Sequence, residues 1–379
     1  MSRRVLFVSN GHGEIAIAAR IARELPDDIV ADHLALVGDP AGDAALHEVG
    51  PRRKMPSGGL IAMGNVRNIA RDVAGGLLAH TFAQLRFLHS VRNRYDVAIA
   101  IGDVFALLMA YRAKSHRTVY VGTAKSVYVA PYGPVERQII GSADAVFVRD
   151  EPTAEQLRAT GIAAHPGNVI VDLHADAPQT FPQTPFDPLI AVFPGSREAA
   201  YADAVRLCSI VRSLAAVKPS AGALLSIAPS IDPVRMSDAL RTAGWAIERS
   251  SSAQEPFRAS YNGRDLVRAW RGPLEAMLHG AAAVLGQAGT ANEAAAAAGI
   301  PVVAYEDAER PAWYRRRQIG LLGDALLLVR GDSANAAREV AALLDDPGRR
   351  AAMGAAGRER MGPPGAARAI AAEIARLCA

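Results

Sequence analysis

Four short stretches carry the residues best suited to chemistry, and each follows an apolar run. The first is Ser9–Glu14, "SNGHGE". Gly11 and Gly13 let the backbone pass close to a ligand and lead into a helix N-terminus, whose N–H groups attract anions. Ala16 stands where a G-x-G-x-x-G spelling needs its third glycine, so the loop is not read as a dinucleotide fingerprint. Asn10, Gly11, Gly13 and Glu14 are the candidate contacts to the group being acted on, and His12 is a candidate general base. The second stretch ends "DVAIAIGD" with Asp103. This aspartate either caps the helix that follows, or serves as the base or as the orienter of His12; capping and catalysis are compatible.

The third stretch is Ala191–Glu198, "AVFPGSRE". A strand, a Pro-Gly turn, the Ser196 hydroxyl, the Arg197 guanidinium and a helix start make a phosphate-binding layout. The fourth is Val284–Tyr305, "VLGQAGTANEAAAAAGIPVVAY". Gly286, Gly289 and Thr290 form a loop, and a helix is expected from near Ala291. The N–H groups at such a helix start suit a diphosphate. Glu293, the single acid of the first turn, is expected to be exposed and to reach the hydroxyls of a sugar on that diphosphate. Its structural alternative is an acid that complements the helix dipole.

These stretches need strands to end beneath them. "VLFVS", "DHLALVG", "DVAIAIGD", "HRTVYVGT" and "ADAVFVRD" are apolar runs of strand length that alternate with helical patterns as far as "GNVIVDL". That alternation means βαβ units and a parallel sheet. The proline-rich "HADAPQTFPQTPFDP" interrupts it, and alternation resumes at "LIAVFPGSRE". The expected fold is α/β: two Rossmann-like open parallel-sheet domains facing across a cleft, followed by C-terminal helices. The boundaries are 1–174, a linker at 175–188, 189–362, and a helix at 363–379 that packs back on the first domain. Ligands of open parallel sheets bind beyond the carboxyl ends of the strands, where all four stretches lie.

Composition excludes other classes. Half of the 379 residues are hydrophobic and 21% are charged, as in globular proteins. The net charge is +4, and the arginines are scattered without a basic block interleaved with aromatics, which argues against nucleic acid and leaves anionic substrates or surfaces. Cys208 and Cys378 form no C-x-x-C pair, so a reducing, cytoplasmic setting is expected. The start "MSRRVLFVSNG" enters a strand at once and reads as no signal peptide, and no run of about 18 uncharged apolar residues predicts a spanning helix. Pro56–Arg94 combines apolar residues at helical spacing with Arg67, Arg71, Arg86, Arg92 and Arg94. It is either a core-facing amphipathic stretch or a face for an anionic membrane. "AWYRRRQIG", Ala312–Gly320, is a second basic-aromatic cluster, suited to a diphosphate or a headgroup.

With "FPGSR" and "GQAGTANEAAAAAGIPVVAY" in this layout, the chain resembles GT-B glycosyltransferases. More narrowly it resembles lipid-A-disaccharide synthase and its related family, through "PSGGLIAMGNVRNIARDVAGGLLAH", "YVGTAKS" and "SNGHGE" as well. The resemblance spans nearly the whole chain. It implies a hexosyltransferase that moves a sugar from a UDP-sugar to a lipid hydroxyl, at the inner face of the plasma membrane, with the acceptor and the chemistry in the first domain. Glu293 would bind the ribose, and Ser196, Arg197, Gln287, Gly289 and Thr290 the diphosphate. Asp103 matches the strand-end aspartate of the synthase. The chain departs from the synthase where that family reads G-E-A-S-G-D near its start and Ala-Pro-Asp after its aspartate. With helix dipole and arginine available for the leaving UDP, neither a metal nor another cofactor is expected. Two other readings are a non-hydrolysing UDP-sugar epimerase of the same fold and a silent nucleotide-sugar or lipid-binding protein.

Overall fold

The computed structural model describes residues 3–38, 42–53, 75–174, 182–306 and 312–379, without the side chains of His12 and of residues 312–315. Part of the Pro56–Arg94 stretch and part of the 175–188 linker therefore lie outside the described residues. The chain divides into two compact units. One is Met1–Leu173 together with Pro364–Ala379, and the other is His174–Pro363.

The first unit is built on a seven-stranded parallel sheet. Its strands are β1 (Arg3–Ser9), β2 (Ile29–Ala35), β3 (His47–Glu48), β4 (Val97–Gly102), β5 (Arg117–Gly122), β6 (Ala145–Val148) and β7 (Ala164–Pro166), in the order β3-β2-β1-β4-β5-β6-β7. Strands covered on both faces read as continuous apolar runs, and β4 is buried throughout. Alternation divides its residues between two cores. Val97, Ile99 and Ile101 join Val5 and Phe7 on one face, while Ala98 and Ala100 join Leu6 and Val8 on the other. The first of these cores is completed by the helix Ala366–Leu377, which buries Ala367, Ile370, Ala371 and Ile374 at helical spacing. Asp172 caps that helix: its carboxylate accepts from the Gly365 and Ala367 N–H groups at 2.5 and 2.6 Å. "GNVIVDL", read above as the end of the strand alternation, is largely the short helix Val169–Asp172 that presents this cap.

The second unit holds an eight-stranded sheet. β8 (Leu189–Phe193), β9 (Gly222–Ser226), β12 (Arg264–Trp270), β13 (Ala281–Gly286), β14 (Val302–Tyr305) and β15 (Leu326–Val329) run parallel, and β10 (Ala246–Arg249) and β11 (Phe257–Tyr261) add an antiparallel edge, in the order β10-β11-β12-β9-β8-β13-β14-β15. The hairpin that joins β11 to β12 was not expected from the apolar runs. Its signal is Asn262-Gly263, both at positive φ (49° and 74°), the two-residue turn that matches strand twist. Among the described residues no helix is long and apolar enough to cross a membrane.

Candidate functional site

In the first unit, β1, β4 and β5 lie side by side and end together. The helix His12–Ala22 starts directly after the β1 loop, with Glu14 in its first turn. Glu14 reaches across the end of β4. A Cβ on Gly102 would lie 3.5 Å from Glu14 Cγ and 2.9 Å from Asn10 Nδ2, and the Thr123 hydroxyl at the end of β5 donates to Glu14 Oε1 at 3.4 Å. Asn10, Glu14, Gly102 and Thr123 thus meet over three strand ends, beside Asp103. Asp103 is the N-cap of Val104–Arg112 and accepts from the Ala106 N–H at 3.1 Å. The floor beneath is aromatic: the Tyr120 hydroxyl donates to Gly102 O at 3.3 Å and lies 3.2 Å from the Tyr132 hydroxyl, and burial pushes both phenols well above their ordinary range. His12 opens its helix; its side chain lies outside the described residues, so its relation to Asp103 is not part of this geometry.

A second network in this unit was missed by sequence reasoning. The Ser9 hydroxyl pairs with His33 Nε2 at 2.8 Å, His33 Nδ1 lies 3.0 Å from Glu48 Oε2, and Arg52 closes the chain on Glu48. Ser9 and His33 are fully buried, so the arrangement supports the β1 loop rather than opening to a substrate. Burial, with Arg52 nearby, lowers the His33 pKa from 6.5 to about 4. The imidazole is therefore neutral at pH 7, its Nδ1–H donating to Glu48 and its Nε2 accepting from Ser9. Unfolded chains take up a proton on this residue below about pH 6.5, which the folded chain refuses until about pH 4. Stability is then complete above about pH 6.5 and falls with acid through that window, with a slope approaching ~1.4 kcal/mol per pH unit from this residue. Urea unfolding at a series of pH values should show this slope in the wild type and its loss in His33→Gln. An equal acid slope in both proteins would remove His33 as its source.

In the second unit, β8 and β13 are adjacent and pair Phe193 with Gly286 at their carboxyl ends. The loops after them therefore leave the sheet side by side. Ser196 and Arg197 are exposed, but the helix begins only at Ala200. A turn closed by Ala200 N–H donating to Arg197 O (2.8 Å) intervenes, so the two side chains sit one turn ahead of the helix and not in its first turn. The Ser230 hydroxyl, from the loop after β9, donates to Ser196 O at 2.8 Å.

The β13 loop leads into the helix Thr290–Ala297, with Gly289 as N-cap. The Gln287 and Ala288 N–H groups both donate to Phe193 O, at 2.9 and 3.2 Å, and the Gln287 side chain donates to Tyr305 O at 2.6 Å. Gln287 is thus buried and shapes the loop from within. Gly289 and Thr290 are exposed. Glu293 was expected to be exposed too, but only 8% of it is accessible. Its helix packs residues Asn292 to Ala296 inward, and an alanine run shows no apolar stripe that would have marked that face. Among the described residues no group of three or more His, Cys, Asp or Glu is arranged to hold a metal ion.

No protein-family model and no curated protein sequence matches the chain. Solved structures do. A Listeria monocytogenes protein named as a UDP-N-acetylglucosamine 2-epimerase matches with TM-score 0.62 at 16% identity, over 99% of this chain and 96% of that one. The S. aureus MnaA structure with UDP matches with TM-score 0.61 at 13% identity, over 98% and 96%. The calicheamicin glycosyltransferase CalG4 matches with TM-score 0.57 at 17% identity, over 99% and 98%. The likeness covers both units, and it shows that the chain has the α/β fold of GT-B type, with two Rossmann-like domains, that these epimerase and glycosyltransferase structures share.

Proposed function

We propose that this chain is an enzyme acting on a UDP-sugar, with the nucleotide held by the second unit and a proton acceptor supplied by the strand-end loops of the first. The observation that carries the reading is the pairing of Phe193 with Gly286, which brings exposed Ser196 and Arg197 out of the sheet beside exposed Gly289 and Thr290 at a helix start. A hydroxyl, a guanidinium and N-terminal N–H groups are the donors a diphosphate needs. Gln287 frames that loop, and Glu293, just behind it, offers its carboxylate to the ribose. The charge on a leaving diphosphate is met by Arg197, Ser196 and the helix start, so the reading needs no metal.

Two reactions fit this arrangement. Epimerisation of the sugar is favoured by the similar structures, several of which are UDP-N-acetylglucosamine 2-epimerases. Transfer to a lipid hydroxyl, in the cytoplasm at the inner face of the plasma membrane, is favoured by the resemblance carried in "FPGSR" and "GTANE". Both need a base, and Asp103, His12 and Glu14 are the candidates. Incubation with a set of UDP-sugars, with and without membrane extract, separates the two. A changed sugar without UDP release indicates the epimerase, and UDP release that depends on extract indicates the transferase. Binding with no turnover of any kind overturns both.

Glu293→Gln keeps the volume of a buried side chain, so it should fold normally and bind UDP about tenfold more weakly, as for a lost charge-assisted hydrogen bond. Arg197→Ala should weaken UDP more than uridine, because its partner is the diphosphate. Titration calorimetry with both ligands checks the pair; unchanged UDP affinity in Glu293→Gln, or equal losses of the two ligands in Arg197→Ala, would contradict the assignments.

For the lipid acceptor, the described part of the basic stretch, residues 75–94, contains the helix Leu77–Ser90, which leaves Leu78 and Phe82 58% and 70% exposed with Arg86 on its surface. Apolar anchors beside a cation suit an anionic bilayer. Cosedimentation is expected with anionic vesicles, not neutral ones, and should fall as salt rises. Sedimentation with neither would favour a soluble acceptor.

A further inference from the structure

The β13 loop is held by two buried amides to which no role has been given. Asn292 Nδ2 reaches back from the helix and donates to Gly286 O at 3.2 Å. A Cβ on Gly286 would run into the Asn292 amide, so any larger residue there has to push that amide aside. From the far side, Gln318 on the helix Ala312–Leu322 donates through Nε2 to Ala288 O at 2.5 Å. Both side chains are buried.

The direction of one peptide follows from this. A trans peptide is planar, with its C=O and its N–H pointing to opposite sides. Gln318 holds the Ala288 carbonyl toward the interior, which turns the Gly289 N–H the other way, at a residue that is exposed. Next in the chain come the Thr290 and Ala291 N–H groups, which have no acceptor within the first helical turn. The Gly289 N–H thus leads into a helix start whose first N–H groups have no intrahelical partner.

We propose that Gln318 is a positioning residue that aims the Gly289 N–H at the diphosphate of a bound nucleotide, with Asn292 fixing the other end of the loop. This rests on the UDP-sugar reading above. Gln318 itself touches no ligand; it acts through the Ala288–Gly289 peptide. Without its donor, that peptide is free to rotate, and the loop then turns a carbonyl oxygen toward the phosphates.

The test uses Gln318→Glu and Gln318→Leu with UDP and uridine as probes, by titration calorimetry at about pH 8 and about pH 5 beside the wild type. An ionised carboxylate cannot donate and repels the carbonyl, whereas a protonated one has an O–H donor, and burial raises the pKa of a carboxyl toward the acid arm. Gln318→Glu should bind UDP about 10- to 100-fold more weakly at high pH, keep its uridine affinity, and regain UDP binding at low pH relative to the wild type measured there. Gln318→Leu should lose UDP affinity equally at both pH values. A role confined to packing predicts no such acid rescue. UDP affinity within about twofold of wild type in the folded variants, or matched losses of UDP and uridine, overturns the role of Gln318. If the glutamate variant does not fold, the leucine variant decides by the same comparison of ligands. A wild-type chain that fails to bind UDP overturns the UDP-sugar reading itself, and the two failures are told apart by that arm.

Discussion

Asp103→Asn is expected to cut turnover about 10²–10⁴-fold, the range for a lost general base, while the melting temperature barely moves. The structure makes this substitution informative. Asp103 caps Val104–Arg112 by accepting from the Ala106 N–H, and asparagine caps a helix as well as aspartate does. The change therefore removes the charge and leaves the cap. The prediction holds for epimerisation and for transfer alike, since either reaction needs a proton acceptor. His12→Ala distinguishes the two assignments of the base. If His12 takes the proton and Asp103 orients it, both single variants are severe and the double variant is little worse than the worse single, because residues that act as a unit are not additive. If Asp103 acts alone, His12→Ala is mild. Rates for the three variants with one substrate set give the answer. Turnover near wild type in all three would move the chemistry to Glu14, which the structure already places over the end of β4.

Gly357→Ala should destabilise the second unit by roughly 2–3 kcal/mol, a loss that runs against helix propensity. Gly357 lies in the helix Pro347–Met361, where alanine in place of glycine ordinarily gains up to ~1 kcal/mol. Here a Cβ would come within 2.5 Å of the Ala296 carbonyl oxygen, and one on Gly354 would collide with the Gly299 carbonyl. Both obstacles are backbone, so the two helices must move apart. The helix displaced is the one that carries Glu293 and begins at Thr290, so UDP affinity should fall together with stability. A melting temperature equal to or above that of the wild type would show that the contact gives way, and that propensity wins.

What could be read from the residues divides along physical lines. Strands buried on both faces announce themselves, and β1, β4, β5, β8 and β13 all coincide with apolar runs. The edge strands do not. β3 has two residues and β7 three, and β10 and β11 are partly exposed, so neither length nor hydrophobicity sets them apart from loop. The Asn-Gly turn was the available signal. At the strand ends, the cap at Asp103 was legible because capping is local. The distance from Ser196 and Arg197 to their helix was misread by one turn, since a short turn and a first helical turn use the same residue types. Nothing local could have revealed Ser9, His33 and Glu48 as one network, or Gln318 beneath the β13 loop, because each partner arrives from a different element.

The helix capped by Asp172 has a consequence for how the protein is made. Synthesis delivers residues in order, and domains generally close as they emerge from the ribosome, N-terminal ones first. Here Ile370 and Ile374 supply a wall of the first unit's core, and their helix is pinned to a carboxylate 193 residues earlier, at Gly365. The whole of His174–Pro363 must be translated before that wall arrives. Until then the apolar face around Ile17, Ile21 and Ile170 stands uncovered on a nascent chain, so the half that is translated first is the half that finishes folding last.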